Sequence, residues 1–468
     1  MPAEIAVHPS PTKAFPATDV LDLIGNTPMV PVTSMDTGPC QLFLKLESQN
    51  PGGSIKDRIA LSMIEAAERE GRLRPGGTLV EATAGNTGLG LALVSARKGY
   101  RLVLVIPDKM SREKIFHLRA LGADVVMTRS DVAKGHPDYY QDKAEQLARE
   151  TPGAVYVNQF ENTANPHAHE RGTGPEILKQ MGGDLDAIVC GVGSGGTITG
   201  LSRFFAAALP HVAFVLADPK GSILREYVET GHWGAAGSWL VEGIGEDFVP
   251  PIADLSGVSE AYTIDDTESF ATAREVLRRE GILCGSSSGT LIAAALRYCR
   301  AQTTPKRVVT FVCDSGNKYL SKMFNDFWML DHGFLARERH NDLRDIIPRR
   351  HDDGATITVS PDDTLKVAYA RMKLYDVSQL PVLDGGRVVG ILDETDLLVA
   401  VYGDQRRFAE PVRSAMTSAV HTLPPSAPVG DLVPIFERGW VAVVAEGDRL
   451  LGVITRIDLI NHLRQKVD

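Results

Sequence analysis

Residues 186 to 200 read DAIVCGVGSGGTITG, and this stretch predicts the architecture of the chain from residue 40 to about residue 325. An apolar run, a glycine-rich turn and the start of a helical segment follow one another directly. A short, continuous apolar run is typical of a strand buried on both faces. The same order recurs at 78–99 and 101–122, so we expect strands alternating with helices, a parallel sheet and an α/β fold.

Length and charge limit the classes of protein to consider. A chain of 468 residues exceeds one ordinary domain of about 100 to 200 residues, so we expect two or three folding units. The net charge of −10 argues against nucleic acid or an anionic membrane as partner. No segment approaches the ~20 apolar residues of a membrane span. The first 17 residues do not resemble a secretion signal, so a cytoplasmic location is expected.

Cysteine and histidine spacings give no indication of a metal or of disulfides. The five cysteines are scattered and lack C-x-x-C spacing, which favours reduced thiols over a disulfide framework or a zinc site. In PHAHE, residues 166–170, His167 and His169 stand two apart and would diverge on a helix. We therefore expect no metal site there.

The sequence changes character near residue 340. A charged, apolar-poor segment is followed by an internal repeat, in which 378–398 matches 440–460 at a constant offset of 62 residues. Each copy reads strand, tight turn, strand, helix. The predicted divisions are a flexible N-terminal arm at 1–17, a catalytic unit at 18–335, a linker at 336–345 and a tail at 346–468, with repeats at about 346–403 and 411–466.

Three glycine-rich turns suit three different groups of a ligand. GVGSGGTITG at 191–200 opens a helix, where backbone N–H groups can hold a phosphate. TAGNTG at 83–88 adds hydroxyl and amide side chains and suits a carboxylate, whereas GSSSG at 285–289, placed after a third predicted strand, offers hydroxyls without charge. Each turn alone could equally be a tight connection that needs glycine for its backbone conformation.

Together with NPGGSIKDR at 50–58, these turns resemble the fold-type II pyridoxal-phosphate enzymes that catalyse β-replacement. The resemblance implies two α/β subdomains with mainly parallel sheets and a lysine, here Lys56, that forms a Schiff base with the cofactor. It also implies that Asn86 contacts the ring hydroxyl and that Ser287 faces the ring nitrogen. The phosphate loop would be Gly193, Ser194, Gly195, Gly196 and Thr197.

A serine at the ring nitrogen has a chemical consequence. Its hydroxyl cannot stabilise a protonated pyridine as a carboxylate would, so the ring is a weaker electron sink. Elimination at Cβ is then favoured over transamination.

Within this family, the stretches VEGIGEDF at 241–248 and WMLDHGF at 328–334 resemble the cystathionine β-synthase branch. That branch condenses L-serine with L-homocysteine to L-cystathionine and water, and it can release hydrogen sulfide when cysteine is the substrate. The resemblance also implies a homodimer or a higher homo-oligomer. The alternatives are a cysteine synthase that uses O-acetylserine and sulfide, and an adenosyl-nucleotide sensor whose enzyme domain is inactive.

The same resemblance assigns substrate residues. They are Thr83, Ala84, Asn86, Thr87, Gln159 and Gly243. Ala84 stands where the family usually has serine, which leaves the substrate preference open. Glu246 could approach the amino group of the second substrate. The animal enzymes carry haem on an N-terminal cysteine and histidine, and since no cysteine precedes Cys40, we expect no haem here.

The repeat resembles a tandem pair of small α+β regulatory domains, called CBS domains or a Bateman module, that often bind adenosyl ligands. In the second copy Thr455 and Asp458 match the residues that meet the ribose hydroxyls. In the first copy Asp393 takes the place of the threonine, beside Asp396. We expect one adenosyl ligand per chain, the alternative being a tail that binds nothing and supports dimer packing.

Overall fold

The computed structural model describes residues 17–83, 85–108, 112–132 and 135–464. The predicted N-terminal arm, apart from residue 17, and the substrate residue Ala84 lie outside the described residues. The chain divides into two compact units between Phe324 and Asn325. No described helix combines the length and the apolar character that crossing a membrane requires.

Short strands and longer helices alternate through the described part of the first unit, as the sequence predicts. The strands are β1 (Met29–Pro31), β2 (Gln41–Lys45), β3 (Thr78–Ala82), β4 (Arg101–Pro107), β5 (Asp124–Thr128), β6 (Val155–Tyr156), β7 (Ala187–Cys190), β8 (Ala213–Pro219), β9 (Val258–Ile264) and β10 (Arg307–Phe311). The helices are α1 (Lys56–Arg69), α2 (Asn86–Lys98), α3 (Arg112–Ala120), α4 (Tyr140–Glu150), α5 (Ala164–Ala168), α6 (Gly174–Met181), α7 (Gly196–Ala208), α8 (Leu224–Thr230), α9 (Asp266–Glu280) and α10 (Ser286–Ala301).

These strands form two sheets within the described residues. One has the order β1-β2-β10-β7-β8-β9 and is parallel apart from β1, which pairs antiparallel with β2. The other has the order β5-β4-β3-β6 and is parallel throughout. The predicted α/β class with mainly parallel sheets is confirmed.

The opening stretch folds as the sequence predicts. All four residues of β7 are buried, and α7 begins at Gly196 after a tight turn. Gly195 has a φ of 87°, a left-handed conformation that favours glycine, and a Cβ there would lie 2.5 Å from the Cβ of Ala253. The turn thus places backbone N–H groups, with few side chains around them, at the carboxyl end of a buried strand, where ligands of parallel sheets bind.

The predicted strand before GSSSG is wrong. The structure has α9, then a loop in which Cys284 alone forms a bridge, to Ser315, and then α10. The apolar run at 282–284 is too short to continue a ladder, and α9 packs along α10. GSSSG nevertheless starts a helix, so its hydroxyls still lie at a helix N-terminus.

A buried ion network joins α1 to β2 and α6. The Arg58 guanidinium donates to Glu47 at 2.7 Å and to Glu176 at 2.7 Å, and Lys45 Nζ lies 2.7 Å from the same Glu176 carboxylate. Although burial alone would raise it, Arg58 and Lys45 hold the pKa of Glu176 at about 2. The two positive and two negative charges compensate one another, and this makes their burial tolerable.

The second unit contains the two repeats in one sheet. The described strands are β11 (Gln379–Asp384), β12 (Arg387–Asp393), β13 (Thr422–Leu423), β14 (Ala442–Glu446) and β15 (Arg449–Ile454). The described helices are α11 (Asp326–Asp331), α12 (Leu365–Tyr375), α13 (Glu394–Val401), α14 (Leu432–Glu437) and α15 (Arg456–Arg464). The sheet order is β11-β12-β15-β14-β13, and the second strands of the two repeats are neighbours.

Each repeat has its own apolar core. The core of the second repeat also includes Leu343 of the predicted linker and, from the start of the first repeat, Ile346 and Ile347. The predicted linker, 336–345, therefore supplies the buried side chain of Leu343 to this unit.

Removing one charge of the ion network tests its contribution to stability. We predict that Glu176→Gln lowers the free energy of unfolding by about 3 to 5 kcal/mol, because it leaves buried cations uncompensated. The wild-type contribution is present above the ordinary carboxyl pKa and is lost as the pH falls towards 2, so the difference between variant and wild type shrinks on acidification. Urea unfolding of both proteins at several pH values measures this difference in the free energy of unfolding.

The matched control is Asp124→Asn, which breaks the bridge between Arg101 and Asp124, whose side chains are 63% and 55% exposed. That bridge should contribute about 1 kcal/mol or less. Equal losses in the two variants would contradict a special role for the buried network.

Candidate active site

One cavity of about 240 Å³ brings together residues that lie far apart in the sequence. Of the predicted cofactor and substrate residues, it is lined by Lys56, Thr83, Asn86, Thr87, Gln159, Gly193, Ser194, Gly195, Thr197, Gly243 and Ser287. Gly196, the first residue of α7, is not among the lining residues although it belongs to the same loop.

Lys56 is the first residue of α1 and faces this cavity. Removal from water lowers the pKa of its amine, while the neighbouring Cys313, Glu246 and Asp314 act in the opposite direction. A lowered pKa favours the neutral amine, which can act as a nucleophile or as a base. The site thus favours the chemically active form of Lys56.

Glu246 lines the same cavity and interacts electrostatically with Lys56. Burial, together with the charge of Asp247, raises its pKa to about 8, and Lys56 acts against this shift. Near neutral pH the carboxyl is therefore mostly protonated. Burial therefore acts against the charged form of both Lys56 and Glu246.

The amide of Asn86 has a fixed orientation. Lys318 Nζ, which can only donate, lies 2.6 Å from Asn86 Oδ1. On the other side Asn86 Nδ2 donates to the Asp314 carboxylate at 2.8 Å, and Tyr319 donates to the same oxygen at 2.8 Å. A flipped amide would place its N–H groups against the Lys318 donor and its oxygen against the Asp314 acceptor. In the observed orientation one amide N–H is bonded to Asp314 and the other is free for a ligand.

The predicted substrate residues Thr87 and Gln159 have a similar arrangement. Thr87 Oγ1 donates to Gln159 Oε1 at 2.7 Å, and both side chains are buried. Because its oxygen is occupied, Gln159 can direct its amide N–H groups towards a ligand. Nearby, buried Glu81 accepts a hydrogen bond at Oε1 from the backbone N–H of Ala82 at 3.1 Å.

The glycine-rich loop at 191–197 forms a cradle for an anion. A Cβ on Gly193 would lie 2.5 Å from the carbonyl oxygen of Gly243, so the loop can hold no larger side chain there. Asn165 Nδ2 donates to Ser194 Oγ at 3.0 Å, which leaves the Ser194 proton free. Thr197 Oγ1 lies 3.2 Å from His169 Nε2. The helix N-terminus and these hydroxyls suit a phosphate.

Ser287 is buried in the first turn of α10 and contacts the Cys313 side chain. Burial raises the pKa of the Cys313 thiol to about 12, so this sulfur remains protonated and unreactive. Ser287 therefore presents an uncharged hydroxyl to the cavity.

Sequence reasoning did not identify the residues that orient the cavity lining. Asn165 and His169 lie behind the phosphate loop, and Asp314 and Lys318 lie behind Asn86. Asp314 follows β10 closely, so its position at the carboxyl end of a strand was an available signal. Lys318 and His169 carried no such signal.

The second unit has a cleft of about 560 Å³. Its lining includes Thr455 and Asp458, which the sequence predicts to bind an adenosyl ribose, and Trp440. Thr455 Oγ1 donates to Asp458 Oδ2 at 2.6 Å, and the backbone N–H of Thr455 donates to the same oxygen at 2.7 Å.

The corresponding residues of the first repeat form the same kind of helix cap, with the carboxylate of Asp393 in place of the threonine hydroxyl. Asp393 accepts a hydrogen bond from the backbone N–H of Asp396 at 2.7 Å, and Asp396 accepts one from Asp393 at 3.1 Å, which together cap α13. The Met416 side chain and the Thr417 carbonyl oxygen lie close to Gly390. Thr417 also forms an isolated antiparallel β-bridge with Ile391.

Comparisons with known proteins agree with these two units. Residues 20–314 match the family model "Pyridoxal-phosphate dependent enzyme", and residues 344–403 and 412–465 each match the model "CBS domain".

Three relatives illustrate the similarity. The chain is 37% identical to cystathionine beta-synthase of Dictyostelium discoideum over 461 residues, which cover 95% of this chain and 92% of that protein. A hydrogen sulfide-producing enzyme of Fusobacterium nucleatum matches with a TM-score of 0.61 and 37% identity, over 65% of this chain and 100% of the other. An O-acetylserine dependent cystathionine beta-synthase of Helicobacter pylori matches with a TM-score of 0.60 and 36% identity, over 65% and 97%.

Proposed function

The chain belongs to the cystathionine β-synthase family of pyridoxal-phosphate-dependent lyases, and on that premise we propose that it condenses L-serine with L-homocysteine to give L-cystathionine and water. Its relatives support β-replacement as the reaction type.

The residues of the cavity fit the family's cofactor. The cradle at 191–197 suits the phosphate, Lys56 supplies an amine whose neutral form is favoured, and the free N–H of Asn86 suits the ring oxygen. Ser287 would face the ring nitrogen. When bound, pyridoxal phosphate withdraws electrons from the substrate Cα and makes its proton acidic.

The chain's own groups then handle the first substrate. Donors from Gln159 and Thr83 hold the serine carboxylate, and Lys56 Nζ takes the proton from Cα. The same amine returns a proton to the departing hydroxyl, which leaves as water. The proton thus moves between Cα and oxygen without another protein base.

Space for a second amino acid is the observation that carries the proposal. A cleft of about 500 Å³ shares lining residues with the cavity and extends it towards Tyr139, Tyr140 and Asp247. Homocysteine needs such room, whereas sulfide does not. Glu246 and Asp247 lie where they could meet its amino group. After water has left, the homocysteine sulfur would bond to Cβ and its proton would return to Cα through Lys56, so no protein cysteine is needed.

Product analysis with competing substrate pairs tests the proposal. We predict that kcat/KM for serine with homocysteine exceeds that for O-acetylserine with sulfide by about tenfold or more, equivalent to ~1.4 kcal/mol of transition-state stabilisation. Mass spectrometry should detect cystathionine as the main product. Lys56→Ala is the control and should form no cystathionine.

Comparable turnover of both pairs would contradict the assignment to serine and homocysteine. O-acetylserine with homocysteine must be included, because the Helicobacter pylori relative is named for that dependence. Turnover of none of these pairs would favour the adenosyl-nucleotide sensor.

For the tail we propose one adenosyl site per chain, in the cleft that contains Thr455 and Asp458. The hydroxyl and carboxylate there could both turn to the two hydroxyls of a ribose. In the first repeat Asp393 replaces the threonine, so two carboxylates stand where the second repeat has a hydroxyl and a carboxylate.

Calorimetric titration with S-adenosylmethionine and with AMP tests the asymmetry. We predict one site per chain, with affinity lost on Asp458→Ala and changed less than about threefold on Asp396→Ala, the matched residue of the first repeat. Two equal sites, or binding that survives Asp458→Ala, would contradict the model.

A further inference from the structure

His169 is a buried histidine that the proposed mechanism does not use. It is fully buried, and it begins a π-helical turn, His169–Thr173, between α5 and α6. Such turns are rare and are often found at functional sites. The neighbouring His167 is only half-buried.

The ring of His169 joins this turn to the phosphate loop. Its Nδ1 lies 3.0 Å from Thr173 Oγ1, and its Nε2 lies 3.2 Å from Thr197 Oγ1. Burial lowers the pKa of His169 well below its ordinary value, and the charges of Arg58 and Lys56 act in the same direction. The ring is therefore neutral, and one nitrogen donates while the other accepts.

Hydrogen bonding to a phosphate determines which ring nitrogen of His169 carries the proton. Phosphate oxygens accept hydrogen bonds, so Thr197 must direct its single hydroxyl proton to them. Thr197 can then only accept from His169, which requires the proton on Nε2. Thr173 in turn donates to Nδ1. In the other tautomer Thr197 would donate to the ring and present only lone pairs to the phosphate.

We propose that His169, as its Nε2–H tautomer, is a positioning residue that turns the hydroxyl of Thr197 towards the cofactor phosphate. This inference rests on the cofactor site proposed above. Asn165 acts in the same manner on Ser194, since its amide donates to Ser194 Oγ and leaves the Ser194 proton free. Both orienting side chains are buried and lie behind the loop.

Two substitutions separate hydrogen bonding from packing. The side-chain nitrogen of glutamine can occupy the place of Nε2, whereas that of asparagine corresponds to Nδ1 and cannot reach Thr197. His169→Gln should therefore preserve the bond and His169→Asn should remove it. His167→Asn, two residues away, is the matched control.

Equilibrium dialysis of the full-length enzyme against pyridoxal phosphate, and separately against pyridoxal, provides the readout. We expect His169→Asn to weaken binding of pyridoxal phosphate about tenfold, equivalent to ~1.4 kcal/mol, and to change pyridoxal binding less than about twofold. His169→Gln and His167→Asn should stay within about threefold of wild type for both. Equal losses for the two ligands, or equal losses in His169→Gln and His169→Asn, would overturn the proposal.

Nitrogen-15 NMR of the wild-type holoenzyme, labelled at histidine, tests the tautomer without any substitution. We expect a protonated Nε2 and an unprotonated Nδ1 at His169, and protonation at Nδ1 would overturn the proposal. If wild type binds pyridoxal as tightly as pyridoxal phosphate, the phosphate site itself fails, which is a different result from failure of His169 alone.

Discussion

The guanidinium of Arg58, held between the carboxylates of Glu47 and Glu176, determines where α1 lies and therefore where Lys56 lies. The arginine follows the lysine by two residues, so the same first turn of helix carries a charged anchor and a reactive amine. The anchor is compensated by buried carboxylates, whereas the amine faces a cavity that disfavours its charge. One helical turn thus contains a cation that buried carboxylates stabilise, Arg58, and an amine whose charged form burial disfavours, Lys56.

A second principle governs the cavity lining: groups behind it decide which atoms the lining presents. Lys318 and Asp314 orient Asn86, Thr87 orients Gln159, and Asn165 leaves the hydroxyl of Ser194 free. Amides and hydroxyls can each donate or accept, so their chemistry is undefined until a partner is fixed. The orienting partners select donors, which suit a phosphate, a carboxylate and a ring oxygen.

The sequence was sufficient to predict the strand–turn–helix order, the tandem repeat and part of the cavity lining, because these depend on local periodicity and short motifs. It did not predict the partners that orient them. Lys318 and Asn86 are separated by 232 residues, so no local pattern connects them. The spacing of His167 and His169 points only to a possible metal site, whereas the partner of His169 on the glycine-rich loop, Thr197, lies 28 residues away. The prediction of a strand before GSSSG is wrong, because three apolar residues do not reveal whether a neighbouring strand is available to pair with them.

Reduction of the holoenzyme with borohydride, followed by peptide mapping, tests the central claim most directly. Borohydride fixes the cofactor to the lysine that holds it, and the modified peptide then identifies that lysine. The account predicts a single modified residue, Lys56. Lys114 and Lys318 are informative competitors, since burial lowers the pKa of both and Lys318 also lies beside Asn86. Label on either of them, with Lys56 unmodified, would contradict the account.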